Sequence, residues 1–373
     1  MYGWNFTATF FNASGVIVGA TDTAELANLQ WSYKLNGGDA SASFELTGQL
    51  QRRFRWLTGN PDGVEMLITS PGGVDMWRGR FLAVTVTPER RSIIAQFVGY
   101  WATLRDRHLT HTWTAGTPTT LGVVIGYASA NGLMPGIVYD AAFLADPGVD
   151  FTPGGGHDLV ADHEPVQSVF TRLAQVGDGG QQFHLAVWSD KKLRVFRRDL
   201  TLDFQVWTSM IQGQAAQTMS RATMISHITA PYRDAAGAQQ WTGYVPDATA
   251  EALLGTRRDG RISNPFETGA IATALAQQYL FDHSKPIDEG HGFAVGPVLY
   301  NAYGGMVPSY NIRPGHVIRI VDLAFASTAQ SGVADNKGTY YVLEVGIDPS
   351  TRTVSITPDA PASSLANLLG GAV

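Results

Sequence analysis

The feature that most constrains this chain is a β-meander that occurs twice, once near each end. In the later copy, Ile312-Arg313-Pro314-Gly315-His316-Val317-Ile318-Arg319-Ile320 and then Tyr340 to Thr357 carry apolar residues, mostly Val and Ile, on alternate positions. That period of two marks half-buried strands. Asp348-Pro349-Ser350-Thr351 interrupts it as a tight turn, because proline fixes φ at the second turn position and Asp bonds back to the backbone. Val84 to Ile93 aligns on Val345 to Val354 without a gap, with Val84/Val345, Pro88/Pro349 and Arg91/Arg352 identical. Upstream, Pro61-Asp62-Gly63-Val64 is placed on Pro314-Gly315-His316-Val317. Two related β modules with other material between them are the expectation, and Val84/Val345 and Val86/Ile347 should point into their cores. Unrelated meanders share the same pattern, so chance likeness stays open at this level.

A chain of 373 residues is too long for one ordinary core, and two to four domains are expected. Charged residues make up 16%, against roughly 25% in ordinary globular domains. So low a charge density suits a subunit whose surface neighbours cover. The net charge of -6 argues against a dedicated nucleic-acid binder, which needs a basic stripe. With no cysteine, disulfides, thiolate metal sites and cysteine nucleophiles are excluded. The start, Met1-Tyr2-Gly3-Trp4-Asn5-Phe6, has no signal-peptide pattern, and no run approaches the ~20 apolar residues of a membrane helix. Synthesis in the cytoplasm, without membrane insertion, is the expectation.

Taken in order, residues 1–105 read as one all-β module. Phe6–Phe11 and Val16–Val18 form a hairpin, and Leu29–Leu35 and Ala42–Leu46 form another around Asn36-Gly37. Residues 106–202 read as an α/β insert. Leu121, Val124, Ile125 and Ala128 share a helical face stopped by Asn131-Gly132, and Val166, Val169, Phe170 and Leu173 share another ended by Gly177. Strands at Gln182–Trp188 and Leu193–Arg197 follow. The second β module is assigned to 203–248 and 287–357, opening with a hairpin of Met224–Thr229 and Gln240–Val245. Residues 249–286 form a helical excursion from it, with helices at Thr249–Gly255 and Ala270–Phe281. Residues 358–373 are a tail with a short apolar run, Leu365–Leu369.

Chemical signals are sparse. His157-Asp158-Leu159-Val160-Ala161-Asp162-His163-Glu164 gathers two His and three carboxylates, but lacks the i, i+4 His pair of a zinc helix. It reads as a loop in which Asp162 caps the helix after Pro165. Gly154-Gly155-Gly156 and Gly177-Asp178-Gly179-Gly180 lack the Gly-Lys-Ser/Thr of a phosphate loop, and no Gly-x-Ser-x-Gly elbow occurs. Arg52, Arg53, Arg55, Arg90, Arg91, Arg105 and Arg107, with Arg257, Arg258 and Arg261, read as solvated or inter-subunit groups. The nine Trp suit barrel cores better than a sugar platform. No catalytic, cofactor-binding or metal-ligating residue is assigned.

Three stretches resemble the hub-type minor tail proteins of phages. They are Leu35-Asn36-Gly37-Gly38-Asp39-Ala40-Ser41-Ala42-Ser43-Phe44-Glu45-Leu46, then Trp77-Arg78-Gly79-Arg80 with Val98-Gly99-Tyr100-Trp101-Ala102-Thr103-Leu104, and Ile312-Arg313-Pro314-Gly315-His316-Val317 before the closing meander. The resemblance implies a mainly β fold with an α/β insertion and two tail-tube-like β-barrels per chain. It implies a structural, non-enzymatic tail-hub subunit of the virion tail tip or baseplate, without cofactor. Three chains would form a pseudo-sixfold ring between the tail tube or a distal tail protein and the threefold tip or fibre protein, near the tape-measure protein. DNA would only pass through. The alternative function is a carbohydrate-binding or cell-wall-hydrolysing tail component.

Overall fold

The computed structural model describes residues 3–47, 54, 56–59, 63–87, 92–114, 116–139, 158–177, 183–197, 201–212, 217–220, 224–234, 236–263, 269–284, 287–290, 292–321 and 339–358. The fold is mainly β, with a curled half-barrel sheet and few helices. The first seven strands are β1 (Thr7–Phe11), β2 (Ile17–Asp22), β3 (Ala27–Lys34), β4 (Gly37–Thr47), β5 (Glu65–Thr69), β6 (Asp75–Thr87) and β7 (Ser92–Gly99). All their neighbouring pairs are antiparallel, in the order β3-β4-β7-β6-β5-β1-β2. Aromatic residues at alternate positions fill the inner face. Phe10 meets the rings of Phe44, Phe54 and Phe97 at 5.3–6.0 Å, largely edge-on.

A 3-10 turn, Tyr100–Asp106, spans the expected boundary at 105/106, and the insert then pairs β8 (His108–Trp113) with β9 (Leu159–Pro165). Helices α1 (Leu121–Ala130) and α2 (Val166–Val176) bury the faces the periodicity marked out. Strands β10 (Phe183–Val187) and β11 (Leu193–Arg197) complete it. This unit does not hang free. β10 runs parallel to β4 through Ala186/Gly37 and Val187/Gly38, so the Asn-Gly segment is a docking seam as well as a hairpin bend. Gly38 sits at φ +80°, and a Cβ there would lie 2.2 Å from the Val187 carbonyl oxygen, so only glycine fits.

The later strands are β12 (Leu202–Trp207), β13 (Ile211–Gln212), β14 (Gln217–Ser220), β15 (His227–Thr229), β16 (Pro231–Arg233), β17 (Gln239–Trp241), β18 (Val245–Pro246), β19 (Asp259–Arg261), β20 (Ile287–Gly290), β21 (Phe293–Val295), β22 (Val298–Asn301), β23 (Met306–Pro308), β24 (Val317–Val321), β25 (Thr339–Asp348) and β26 (Thr353–Pro358). The expected hairpin opening the second module forms differently. β16 and β17 close around Asp234–Gly237, whose Asp234 carboxylate accepts from the Ala236 and Ala238 amides, while β15 pairs β18 and β19. These strands pack with α3 (Ala248–Leu254) and α4 (Gly269–His283) around a separate core of Ile228, Ala230, Ile262, Ala272, Ala276 and Leu280. The excursion is therefore a small α/β unit running from about Met224 to Ser284. It is flanked by β14 and β20, which form a two-stranded sheet of their own and are paired at Ser220/Ile287.

The two meanders share their register. Val84 faces Ala95 and Val86 faces Ile93; 261 residues later Val345 faces Ile356 and Ile347 faces Val354. Each hairpin carries a β-bulge at the matching place, with Leu82 the extra residue in one and Leu343 in the other. Before each, the carbonyl of Val64 accepts from the Phe81 amide, and that of His316 from the Val342 amide. Gly63 and Gly315, both at positive φ, hold equivalent places. The sequence placement of Val64 on Val317 is thus one residue out, because the left-handed glycines are the landmark and not the prolines; Pro61 and Pro88 lie outside the described residues. Val345 and Ile347 are buried, but Val84 is only half-buried and Val86 is 54% exposed. Val86 still lies on the core side, opposite the buried Ile93, where this single chain leaves it uncovered.

Candidate assembly surface

Strand β25 pairs not only with β26 but, on its other edge, with β3: Lys34/Glu344, Tyr33/Val345, Ser32/Gly346 and Trp31/Ile347. This seam joins the N-terminal strands to the C-terminal ones. The result is one run of neighbours, β6-β7-β4-β3-β25-β26-β21-β13, while β14 and β20 form a two-stranded sheet of their own. Four strands lie on each side of the seam. Phe44 opposite Ala95 corresponds to Phe293 opposite Ile356, so the register match of the hairpins extends to the next strand on each side. The flanks differ, since β5 takes β1 antiparallel whereas β24 takes β12 parallel.

One face of this run is core; the other is hollow and mostly neutral, with Asp348 the carboxylate in its lining. Gln30, Ser32, Ser41, Ser43, Gln96 and Ser355 line a depression of about 590 Å³ that Leu82 overhangs. The Lys34–Glu344 ion pair, at 3.1 Å, lies on the seam with both side chains about half exposed. Among the described residues both ends of the run are open. β5 pairs β6 only as far as Arg80, and among the described residues no strand covers the same edge at Leu82–Val86. Nor does any described strand pair with the outer edge of β13 and β14. Leu82 and Val86 are 55% and 54% exposed, an unusual state for apolar residues on an unpaired edge.

Beneath the sheet a buried polar network ties the parts together. Trp31 Nε1 donates to the Tyr33 hydroxyl, which donates to the Met76 carbonyl, and the Arg313 guanidinium lies 4.4 Å from the Tyr33 ring centroid. Burial pushes the Tyr33 hydroxyl well above its ordinary pKa. Asp39 is buried too, and desolvation raises its carboxyl well above the usual range despite the Arg78 amide donating at 2.7 Å and the charge of Arg313. Glu65 behaves oppositely. Burial alone would raise it, but the neighbouring Tyr100 hydroxyl, the Lys191 hydrogen bond and the charges of Lys191 and Arg78 hold it below its ordinary value. Lys191 Nζ and Arg78 Nη2 each lie 2.9 Å from its oxygens, which pins the insert to β5 and β6.

The histidine–carboxylate cluster does not assemble. Its described part is strand β9, not a loop, because it finds a partner in β8. Asp162 makes no helix cap; Pro165 occupies that position without a side-chain cap bond. His163 and Asp162 are exposed, Glu164 pairs with Arg172 at 3.4 Å, and His157 lies outside the described residues. Among the described residues no group of three or more His, Cys, Asp or Glu is placed to hold a metal ion. Of the arginines, Arg257 and Arg261 cover the rings of Tyr244 and Trp241 at 4.6 and 4.4 Å, and Arg105 lies exposed beside Asp106; Arg52, Arg53, Arg55, Arg90 and Arg91 fall outside the described residues. Trp4, Trp31, Trp77, Trp101 and Trp113 are buried in the cores, while Trp207 and Trp241 are each 39% exposed.

No family model and no curated protein matches the sequence. Solved structures do match over nearly the whole chain. The 43 kDa tail protein of prophage MuSo2 from Shewanella oneidensis superposes with a TM-score of 0.63 at 14% identity, covering 96% of this chain and 98% of that one. The chain has the fold of phage tail proteins. Prophage tail protein gp18 from Listeria monocytogenes gives 0.57 at 8% identity, over 98% and 97% of the two chains. A tail protein from Neisseria meningitidis gives 0.56 at 10% identity, over 95% and 96%. Sequence missed two determinants of this tail-protein fold's seams. Gly38 was read only as a turn residue, and Leu82/Leu343 stand just ahead of the aligned block, where extending it by two positions pairs Leu with Leu.

Proposed function

We propose that the chain is a structural tail-hub subunit, three copies of which form a pseudo-sixfold ring at the virion tail tip or baseplate. The observation that carries this is the matched register of the two four-strand halves across the β3–β25 seam. A chain built twice over presents near-equivalent halves, so a closed ring of three chains offers six similar units to a sixfold tube. It offers three identical ones to a threefold tip. Heterologous contacts close into such a ring when the rotation between units allows it. The duplication reads as two barrel-like modules, one near residues 1–105 and one assembled from about 202–220 and 287–358. The hollow face, bearing hydroxyls, amides and the Asp348 carboxylate but no cation in its lining, would line the channel, where a wall without positive charge lets phosphates pass without holding them. Tube or distal tail, tip or fibre, and tape-measure proteins are the partners of this reading, which gives the chain no enzymatic step. Counting copies in a cryo-EM map of the assembled particle tests it. Three copies at this position are expected, and one or two would overturn it.

A further inference from the structure

We propose that the cavity between the insert and the closing meander binds a carboxylate with an aromatic group beside it, supplied by an acidic, aromatic segment of a partner protein. The cavity has a volume of about 540 Å³, within the range of ligand pockets, and it lies where two packed units meet. One wall is β11, with Phe196, preceded by Trp188; the other is the turn 313–316, with Tyr341. Phe196 packs there against the small core of Leu35, Val317 and Tyr341, which ties the walls together. Two backbone bonds of 2.9 Å clamp the turn to β25: the Gly315 amide donates to the Val342 carbonyl, and the Val342 amide to the His316 carbonyl. The pocket is therefore formed before a ligand arrives, which keeps the ordering cost of binding low.

Charge selects the ligand. The lining carries Arg194, Arg197 and Arg313 against one carboxylate, Asp75, in a chain whose net charge is -6. Arg194 is engaged by Asp190 at 2.6 Å, and Arg197 covers the Phe183 ring at 5.3 Å. Arg313 is different. Its guanidinium donates to the carbonyls of Tyr310 and Ile312 at 2.7 and 2.8 Å, and meets the Met76 sulfur and the Tyr33 ring. All four partners are neutral, and among the described residues no carboxylate lies within ion-pair distance of it. Asp39, whose charge would act on Arg313, is kept toward its neutral form by burial. A half-buried cation without a counter-ion gains from an incoming carboxylate, which a guanidinium can hold through two parallel bonds. His316 adds a neutral donor to the lining. Burial pulls it below the ordinary histidine value, and its Nδ1 accepts from the Arg313 amide, so the proton sits on Nε2. The rings of Trp188, Phe196 and Tyr341 take the apolar neighbour of the carboxylate. Three arginines in one cavity do not make the extended groove that tracks a nucleic-acid backbone.

The pocket is complete within one chain, so its test does not depend on ring closure. Saturation-transfer NMR on the full-length protein uses acetyl-Asp-Phe-amide as the probe. Acetyl-Asn-Phe-amide, acetyl-Asp-Gly-amide and phenyl phosphate are the comparisons. Binding of the probe with a Kd of about 1 mM or below, and weaker binding of the Asn and Gly compounds, is the expected result. Arg313→Gln keeps donors for the two carbonyls and removes the charge, so it should weaken the probe about tenfold or more. Arg197→Ala changes an exposed residue and carries the test should Arg313→Gln not fold; a loss of about twofold to fivefold, smaller at high salt, is expected. No saturation transfer to the probe at its solubility limit overturns the site. Binding that survives both substitutions lies elsewhere and overturns it as well. Phenyl phosphate bound more tightly than the dipeptide at these arginines overturns the carboxylate ligand. Three copies in the particle with no probe binding would remove the pocket and leave the ring, and probe binding without a ring would do the reverse.

Discussion

At the scale of the residue, Asp39 has the most legible physics. Its folded pKa is raised, so its contribution to stability is complete below the unfolded value near 3.8 and is lost as pH rises through the folded one. Asp39→Asn keeps an acceptor for the Arg78 amide and removes the titration. The variant should gain on the wild type between pH 5 and pH 8, read as a widening difference in denaturation midpoint; a constant difference would show that the carboxyl is not held neutral by burial. Glu65 has the opposite sign. Its pKa is lowered, so it stabilises above the unfolded value near 4.5 and loses that as pH falls through the folded value. Glu65→Gln should cost about 1.5–3 kcal/mol at pH 7, the range for hydrogen bonds to a charged group, and much less at pH 3. Gly38→Ala acts through the backbone. The left-handed conformation alone costs roughly 1–2 kcal/mol, and the clash with Val187 adds the loss of the β4–β10 seam. Faster proteolysis within the insert than within the sheet is the expected readout.

At the scale of the element, legibility followed periodicity. Helices α1 and α2 were readable because Leu121, Val124, Ile125 and Ala128, and then Val166, Val169, Phe170 and Leu173, recur on one face. Strands β8 and β9 were not, since a polar run such as Ala161-Asp162-His163-Glu164 becomes strand only through its partner. The excursion was misassigned for a related reason. Local pattern shows a hairpin near Asp234, but only tertiary packing decides whether it joins the large sheet or α4. The β14 and β20 ends are paired at Ser220/Ile287, so the excursion replaces a turn of the kind that Leu35-Asn36 makes between β3 and β4. Replacing residues 221–286 by an Asn-Gly turn should therefore leave the large sheet folded, as far-UV circular dichroism would show. It should destabilise the insert, because Ile271 and Leu275 of α4 belong to the insert's core. A chain that loses its sheet signal on excision would place the excursion inside the sheet's folding unit instead.

At the scale of the whole molecule, the surface that the proposed ring would turn to the passage is the hollow face, and its chemistry is mostly neutral and polar. Ser32, Ser41, Ser43, Gln96 and Ser355 present hydroxyls and an amide, Asp348 adds a carboxylate to the same lining, and the Lys34–Glu344 pair stands on the seam. The sequence carried only the shadow of this, as a low charged fraction over the entire chain; which residues share the face depended on the register of six strands. If this face lines the channel of the proposed ring, Ser355→Arg introduces one guanidinium per chain into the path of a polyanion. A single exposed arginine on a strand residue that already points into solvent leaves the core face untouched, so folding and particle assembly should be unchanged. Each phosphate contact adds about 0.9 to the salt slope of log K on duplex DNA, so the retention that the variant introduces should relax steeply with salt. Genome release from particles carrying Ser355→Arg should be slowed at low ionic strength and recover toward wild type as salt is raised, while Ser355→Gln, equally bulky but neutral, should behave as wild type. Equal slowing by Arg and Gln would mean that the channel is limited by width, and unaltered release by both would remove this face from the DNA path.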